Sequence, residues 1–156
     1  MSGLRNIKVF IADDSIVLRG RVLEMLRDIP GVEILGCAED GLHAINSIRQ
    51  LKPDAVVLDI QMPRGTGLDV LKNIKHGAQG PLVVVLTNFP YPQYRKRAME
   101  CGANYFFDKT TECEKLRALF GETLEKLPAL KPELIVALVP GQTPLAVVVT
   151  VAVGNG

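Results

Sequence analysis

The sequence is short of cysteine and of net charge, and each shortage excludes a class of protein. Its three cysteines, Cys37, Cys101 and Cys113, are odd in number and irregularly spaced, so they predict neither a disulfide framework nor a zinc site. They indicate a reducing compartment. The net charge of +1 points to no particular partner. The amino-terminal stretch lacks the apolar core of an export signal, so we expect a cytoplasmic protein.

Three phosphate-handling motifs are also missing. The run Gly65-Thr66-Gly67 is not followed by the third glycine of a dinucleotide-binding fingerprint. No glycine-rich loop ending in Gly-Lys-Ser/Thr follows the first apolar run, so the chain is not a P-loop protein. Asp59 has no second acid two residues later, where a haloacid-dehalogenase-type phosphatase would carry its general acid.

What the sequence does contain is an alternation of apolar runs and helical repeats. The runs that predict β-strands lie at residues 7–12, 32–38, 55–58, 82–86 and 105–107. A helical repeat follows each run, which predicts an α/β fold with a parallel sheet, helices on both faces and right-handed crossovers. The run at 82–86 is apolar at every position, so we expect a strand that is buried on both faces.

The helices carry their own signals. Ser15 is placed to cap the first helix, and Thr111 with Glu114 fits a capping box for the last. Gly102 is expected to end the fourth helix. The inner face of the second helix is predicted to carry four apolar residues: Leu42, Ile45, Ile48 and Leu51.

Polar residues stand where the predicted strands end. They are Asp13, Asp14, Asp59, Thr87 and Lys109. Taken singly, each of three residues has a structural explanation as good as a functional one. Asp14 could be an acid at a helix start, Thr87 a helix cap and Lys109 a solvated charge. Because open parallel sheets bind ligands at the carboxyl ends of their strands, five polar groups at one edge favour a functional site.

The residue types at this edge fit one reaction. Three carboxylates that converge repel one another unless a cation joins them, and hard oxygen ligands suit Mg²⁺. Asp59 beside such a metal is a carboxylate nucleophile, the arrangement that forms an aspartyl phosphate. Thr87 can donate a hydrogen bond to a phosphoryl group, and Lys109 can pair with its charge.

Taken together, these residues resemble the receiver domain of bacterial two-component response regulators. The matching pieces are Asp13-Asp14, the Leu-Asp-x-x-Met-Pro pattern of residues 58–63, Gly67, Thr87, and Lys109 after an aromatic-rich strand. The resemblance covers residues 5–127. It implies a flavodoxin-like, doubly wound, five-stranded (βα)5 fold and Mg²⁺-dependent transfer from a phosphohistidine on a sensor histidine kinase or phosphotransfer protein.

The resemblance also implies residue roles. Asp13, Asp14 and Asp59 would hold the metal together with the main-chain carbonyl of Gln61. Asp59 would accept the phosphoryl group, which Thr87 and Lys109 would bind. Phe106, three residues before the lysine, would be the aromatic residue that turns inward on activation.

The sequence departs from the family at two positions beside the site. Thr110 follows Lys109 where receivers usually carry proline, and the family's peptide bond there is cis. We expect a cis bond here too, although a non-proline cis bond costs ~3 kcal/mol. Asn88 follows Thr87 where a small residue is usual, so its side chain is expected to crowd the phosphoryl pocket.

Residues 128–156 form an apolar carboxy-terminal tail that lies outside the predicted domain. Two apolar runs, 134–139 and 145–153, flank Pro-Gly-Gln-Thr-Pro, a pattern typical of a β-hairpin. Several interpretations of the tail stay open: it pairs with a second subunit, packs on the domain, is a poorly ordered end, docks a partner, or anchors the chain in a membrane. The two prolines disfavour the membrane anchor. The tail has no basic cluster or recognition helix, so we expect no nucleic-acid binding.

Three functions compete. The first is a stand-alone receiver, a self-phosphorylating and dephosphorylating switch of protein–protein interactions rather than a metabolic enzyme. The second is a truncated DNA-binding regulator that acts as a phosphate sink. The third is an oligomerisation module, such as a homodimer, that assembles through the tail.

Overall fold

Five parallel strands form one sheet within residues 6–126, the part of the chain that this computed structural model describes. The strands are β1 (Ile7–Ala12), β2 (Val32–Ala38), β3 (Ala55–Leu58), β4 (Leu82–Thr87) and β5 (Tyr105–Asp108). Their order across the sheet is β2-β1-β3-β4-β5. The order confirms the predicted flavodoxin-like topology, in which consecutive strands are joined by helical crossovers.

The helices cover both faces of the sheet. Within the described residues they are α1 (Ile16–Arg27), α2 (Gly41–Leu51), α3 (Gly67–Lys72), α4 (Pro92–Glu100) and α5 (Cys113–Lys126). A 3₁₀ turn, Gly77–Gln79, lies between α3 and β4. Helices α1 and α5 pack on one face, and α2, α3 and α4 pack on the other. The prediction of a doubly wound sheet is therefore confirmed.

Two apolar cores result from the alternation of side chains along the strands. In β1, Ile7, Val9 and Ile11 pack against α1 and α5, whereas Phe10 and Ala12 face the other helices. Strand β4 is buried along its whole length because helices cover both of its faces, and its side chains alternate between the two cores. The apolar run thus predicted its interior place correctly.

The predicted inner face of α2 is partly wrong. Leu42 and Leu51 are exposed by 58% and 43%, and the buried positions are Gly41, Ala44 and Ile48. The four predicted positions recur every three residues, and a helix has 3.6 residues per turn. Leu42 and Leu51 are nine residues apart, so they lie on opposite sides of the helix and cannot share one face.

Two local predictions around β5 are also wrong. The structure contains no cis peptide bond within residues 6–126, so the bond between Lys109 and Thr110 is trans. A peptide bond that does not precede proline strongly prefers the trans form. In this form the Thr110 N–H and hydroxyl donate to the Asp108 carboxylate at 2.9 and 2.7 Å. Thr111 also hydrogen-bonds Asp108, and α5 begins at Cys113, so the predicted capping box of Thr111 and Glu114 does not form.

The predicted tail lies outside the described residues, so its hairpin and the boundary between residues 127 and 128 stay predictions. None of the helices within residues 6–126 is long and apolar enough to cross a membrane.

Candidate functional site

The ends of β1, β3, β4 and β5 place the predicted polar residues at one edge of the sheet. Ala12 pairs with Leu58, so Asp13 and Asp59 follow neighbouring strand ends. The Asp59 N–H donates to the Ala12 carbonyl at 2.9 Å. On the other side, the Lys109 N–H donates to the Thr87 carbonyl at 2.8 Å. Strand register therefore fixes the backbone beneath the site.

Three carboxylates converge at this edge. One carboxylate oxygen from each of Asp13, Asp14 and Asp59 lies within 4.8 Å of the others. Asp13 and Asp59 are buried, and Asp14 is exposed. An all-oxygen cluster open on one side is the donor set that suits a hard divalent cation such as Mg²⁺.

Lys109 lies between two of these acids. Its Nζ donates to Asp13 Oδ2 at 2.5 Å and to Asp59 Oδ2 at 3.1 Å. The lysine side chain is only 3% exposed, so both ion pairs are shielded from solvent. Sequence reasoning assigned Lys109 to a phosphoryl group and did not predict these contacts with the acids.

The charges at the site shift one another's pKa values. Burial raises the pKa of Asp59, the nearby Lys109 charge lowers it, and the nearby Asp13 charge raises it further. For Lys109, burial lowers the pKa, but the hydrogen bond to Asp13 and the Asp59 charge outweigh burial, so the net shift is upward. The lysine therefore stays cationic and balances the buried carboxylates.

The start of α1 holds Asp13 in place. The Ser15 N–H donates to Asp13 Oδ1 at 2.9 Å, and Arg19 Nη1 donates to the Asp13 carbonyl at 2.6 Å. Ser15 Oγ accepts from the Leu18 N–H, which confirms the predicted helix cap. The strand-to-helix turn thus orients the carboxylate that Lys109 contacts.

The loop between β3 and α3 is tied closely to Asp59. The Gln61 N–H donates to Asp59 Oδ1 at 3.3 Å, and the Gln61 side-chain amide donates to the Tyr94 hydroxyl at 3.5 Å. Gly67 closes the loop through an N–H···O bond to Ile60 at 2.8 Å. A Cβ on Gly67 would lie 2.2 Å from the Asp59 carbonyl oxygen, so only glycine fits there.

Thr87 and Phe106 complete the edge. Thr87 is fully buried, and its Oγ1 accepts from the Phe89 N–H at 3.1 Å. Phe106 is 3% exposed, and the Arg95 guanidinium carbon lies 4.8 Å from its ring centroid. This cation–π contact was not predicted. Arg95 belongs to a run of basic residues, and composition does not show which of their side chains is oriented toward the domain.

Asp40 is a second residue that sequence reasoning missed. Its carboxylate caps α2 by accepting from the His43 N–H at 2.8 Å, and it pairs with Arg64 Nη2 at 2.8 Å. The His43 N–H and the Arg64 contact hold the pKa of Asp40 below its usual value. Arg64 lies in the loop after Asp59, so Asp40 links that loop to α2. The acid one residue before a helix-forming segment was the available signal.

Comparison with known proteins identifies the family. The profile of the response regulator receiver domain matches residues 9–120. The chain belongs to this family. The receiver is 39% identical over 123 residues to protein-glutamate methylesterase/protein-glutamine glutaminase 1 of Methanospirillum hungatei, covering 78% of this chain and 36% of that protein. The chain thus spans about a third of the length of the methylesterases that it matches.

Other relatives are regulators and isolated receivers. The uncharacterised transcriptional regulatory protein YvfU of Bacillus subtilis is 30% identical over 141 residues, covering 90% of this chain and 70% of that protein. The response regulator domain of Thermotoga maritima CheB aligns with a TM-score of 0.68 and 25% identity, over 82% of this chain and all of that one. A chain of the CheX–CheY–BeF₃–Mg²⁺ complex of Borrelia burgdorferi aligns with a TM-score of 0.66 and 26% identity. The alignment covers 74% of this chain and 88% of that one.

The family explains the chemistry of the edge. Receiver domains of two-component systems are phosphorylated on an aspartate and bind Mg²⁺ at an acidic pocket, and the described residues contain such an aspartate cluster. Receivers interact with histidine kinases or phosphotransfer proteins. The resemblance that the sequence showed is therefore confirmed.

Proposed function

We propose that this receiver acts as a stand-alone switch of protein–protein interactions in the cytoplasm, and that Asp59 is its phospho-acceptor. The observation that carries the proposal is the position of Asp59, within 4.8 Å of Asp13 and Asp14 and 3.1 Å from Lys109. The residues of this chain to which the transfer is assigned all lie within residues 6–126. A sensor histidine kinase or phosphotransfer protein would supply the phosphoryl group.

Each residue at the edge has a part in the proposed transfer. Asp13, Asp14 and Asp59, with the main-chain carbonyl of Gln61, would hold Mg²⁺, which when bound supplies positive charge to phosphoryl oxygens. An Asp59 carboxylate oxygen attacks phosphorus, a new O–P bond forms, and the P–N bond to the donor imidazole breaks with its electron pair returning to nitrogen. Lys109 and the Thr87 hydroxyl then hold the phosphoryl oxygens.

The proposed output runs through β4 and β5. Phosphorylation draws Lys109 from Asp59 toward the phosphoryl group. It also gives the Thr87 hydroxyl, whose oxygen accepts from the Phe89 N–H, a phosphoryl oxygen to which it donates its own proton. Phe106 packs beside this strand end under Arg95, so the rearrangement reaches the surface of α4, β5 and α5. Because Phe106 has no hydroxyl, its switching rests on packing.

A second candidate is the receiver part of a transcriptional regulator. The match to YvfU favours it, since 141 aligned residues extend past the family match at residues 9–120. In that case the chain would act by drawing phosphate from a kinase that serves a DNA-binding protein. Loss of phosphate flux through one kinase, without any phosphorylation-dependent protein partner, would favour this candidate.

Beryllium fluoride with Mg²⁺ tests the switch directly, because beryllium fluoride is a phosphomimetic for a receiver domain of this fold and is present with Mg²⁺ in the CheX–CheY complex above. The full chain is labelled with ¹⁵N and titrated. We expect amide shifts around Asp59, Thr87 and Phe106 in the intact chain and none in Asp59→Asn. Asp69→Asn, which changes an exposed acid in the capping box of α3, is the matched control and should respond like the intact chain. Identical spectra with and without the additive would contradict the proposal.

A further inference from the structure

A cavity lies at the sheet edge opposite the acidic site. It occupies about 690 Å³ between the end of α2, the end of α3 and the 3₁₀ turn, and it reaches the residues that precede β3 and β4. A volume of this size is within the range of small-molecule sites, roughly 300–1,000 Å³. Because it shares no residue with the acidic site, the inference below does not depend on the proposed function.

Positive charge dominates the lining of this cavity. Arg49, Lys52, Lys72 and Lys75 line it, with Asp54 as the one acid among the lining residues that the structure describes. Among the ion pairs formed within residues 6–126, none includes any of these four cations. The Asp54 carboxylate is turned toward β1, where it accepts from the Lys8 N–H at 2.9 Å. An anion entering the cavity would meet several cations that have no carboxylate partner among residues 6–126.

Arg49 is held in a fixed position at the cavity wall. Its Nε and Nη2 both donate to the Asn73 carbonyl, at 3.1 and 2.8 Å. This contact joins α2 to the end of α3 and leaves Nη1 without a protein acceptor among the described residues. A guanidinium that is already oriented loses less side-chain freedom when it binds an anion than a free lysine does.

The base of the cavity is apolar. Ile48 and Ile74 are 4% and 9% exposed, and both lie in the core that packs against α2 and α3. Pro53 and Pro81 also line the cavity, and neither carries a backbone N–H. The cavity therefore combines an apolar base with a cationic rim.

The wall formed by the 3₁₀ turn is closely packed. A Cβ on Gly80 would lie 2.0 Å from the Lys75 carbonyl oxygen, so the chain before and after the turn is in direct contact. This contact fixes the backbone that carries Lys75 beside Pro81. Lys75, which follows α3, thus extends from a closely packed wall.

From these features we propose that the cavity binds a small anionic molecule with an apolar, planar body, of the nucleotide class. The phosphate groups lie at the rim beside Arg49, Lys52, Lys72 and Lys75, and the planar body rests on the isoleucines and prolines of the base. Acidic protein segments are disfavoured as occupants, because the base offers no backbone N–H from either proline to pair with a peptide.

The test titrates the full chain, labelled with ¹⁵N, with ADP in the presence of EDTA. Removing divalent cations keeps ADP phosphates away from the acidic site, where three carboxylates repel them. We expect saturable amide shifts confined to residues 48–54 and 72–81. Pyrophosphate and adenosine, which carry the charge and the planar body separately, should each bind more weakly than ADP.

A charge variant decides the location. Replacing Lys52, Lys72 and Lys75 with glutamine should raise the dissociation constant for ADP about tenfold, the combined effect of three exposed charge contacts. Lys96→Gln on α4 is the matched control and should leave ADP binding unchanged. An amide spectrum of the triple variant as well dispersed as that of the intact chain would show that the variant is folded.

Three results would overturn the inference. They are the absence of saturable ADP binding, ADP shifts that map elsewhere or survive the triple substitution, and equal affinity for ADP and pyrophosphate. The last result would mean that the apolar base contributes nothing.

Discussion

Lys109 has two roles that its substitution would separate. In the described structure it neutralises Asp13 and Asp59, and in the proposed reaction it binds the phosphoryl group. The first role stabilises the metal-free fold, and the second stabilises the phosphorylated state. Few single residues in this chain connect the energetics of the fold so directly with the chemistry of the site.

We predict that Lys109→Met destabilises the metal-free chain by about 3–5 kcal/mol, the cost of leaving buried charges without their partner. Mg²⁺ should recover part of this loss, because a cation then lies between the same carboxylates. Urea unfolding in EDTA and in Mg²⁺ measures both effects. Lys115→Met removes an exposed pair with Glu112 and serves as the control, with a loss of at most about 1 kcal/mol. Equal losses for the two variants would refute the prediction.

Asp40 predicts a pH dependence of stability. Its pKa is held below the ordinary value of 3.8 by the His43 N–H and by Arg64, so the folded state binds this proton less readily than the unfolded state does. The carboxylate therefore stabilises the fold at pH values above 3.8, and this contribution is lost as the pH falls through the lower folded-state pKa.

The matched variant is Asp40→Asn, which keeps a helix-capping side chain but cannot ionise. At neutral pH the intact chain should be more stable than the variant, and the difference should shrink as the pH falls below 3.8. Urea unfolding across this pH range measures the difference. A constant difference at every pH would show that the Asp40 charge contributes nothing.

At the scale of the element, the loop from Asp59 to α3 depends on one glycine. Gly67→Ala would force a Cβ against the Asp59 carbonyl oxygen at 2.2 Å, so the loop and the backbone of Asp59, the proposed phospho-acceptor, must shift. We predict a loss of stability and a slower phosphorylation of Asp59 by a small phosphodonor. Both are measured on the full chain, by urea unfolding and by the rate of phosphate incorporation.

Gly20→Ala is the control for this substitution. Gly20 lies inside α1, and a Cβ there would meet no atom within 4 Å. Alanine should therefore stabilise the helix by roughly 0.5–1 kcal/mol and leave phosphorylation unchanged. If the two glycine variants behaved alike, the close packing of Gly67 on Asp59 would not matter for the site.

The elements also show where sequence reasoning succeeds. Strands such as β4 were predictable because continuous apolar residues leave few alternatives to a buried strand. The buried face of α2 was not predictable, because apolar residues that recur every three positions do not stay on one side of a helix. Gly41 and Ala44 are buried there, whereas Leu42 is exposed. Small buried residues give a weak sequence signal, yet they allow the closest packing.

The candidate site was predictable in composition but not in its contacts. Strand ends placed Asp13, Asp59, Thr87 and Lys109 at one edge, since parallel strands end together. The ion pairs of Lys109 depend on side-chain reach across the sheet, and the cation–π contact of Arg95 depends on how α4 is rotated. Neither quantity is encoded in residue spacing.

For the whole molecule, the sheet separates two regions of opposite charge. The carboxyl ends of the strands carry the aspartates, and the cationic cavity lies at the amino ends of β3 and β4. Strands β3 and β4 are buried and belong to both regions, so each region is built on the same rigid support. The charge separation also keeps anionic ligands of the cavity away from the acidic edge.

The measurement that tests the central claim most directly is phosphate incorporation at Asp59. The full chain is incubated with a small phosphodonor, with and without Mg²⁺, beside Asp59→Asn. We predict phosphate that is labile to acid and base, that requires Mg²⁺ and that is absent from the variant. Equal incorporation by the variant, or no incorporation and no Mg²⁺ binding by the intact chain, would contradict the assignment of Asp59 as the phospho-acceptor.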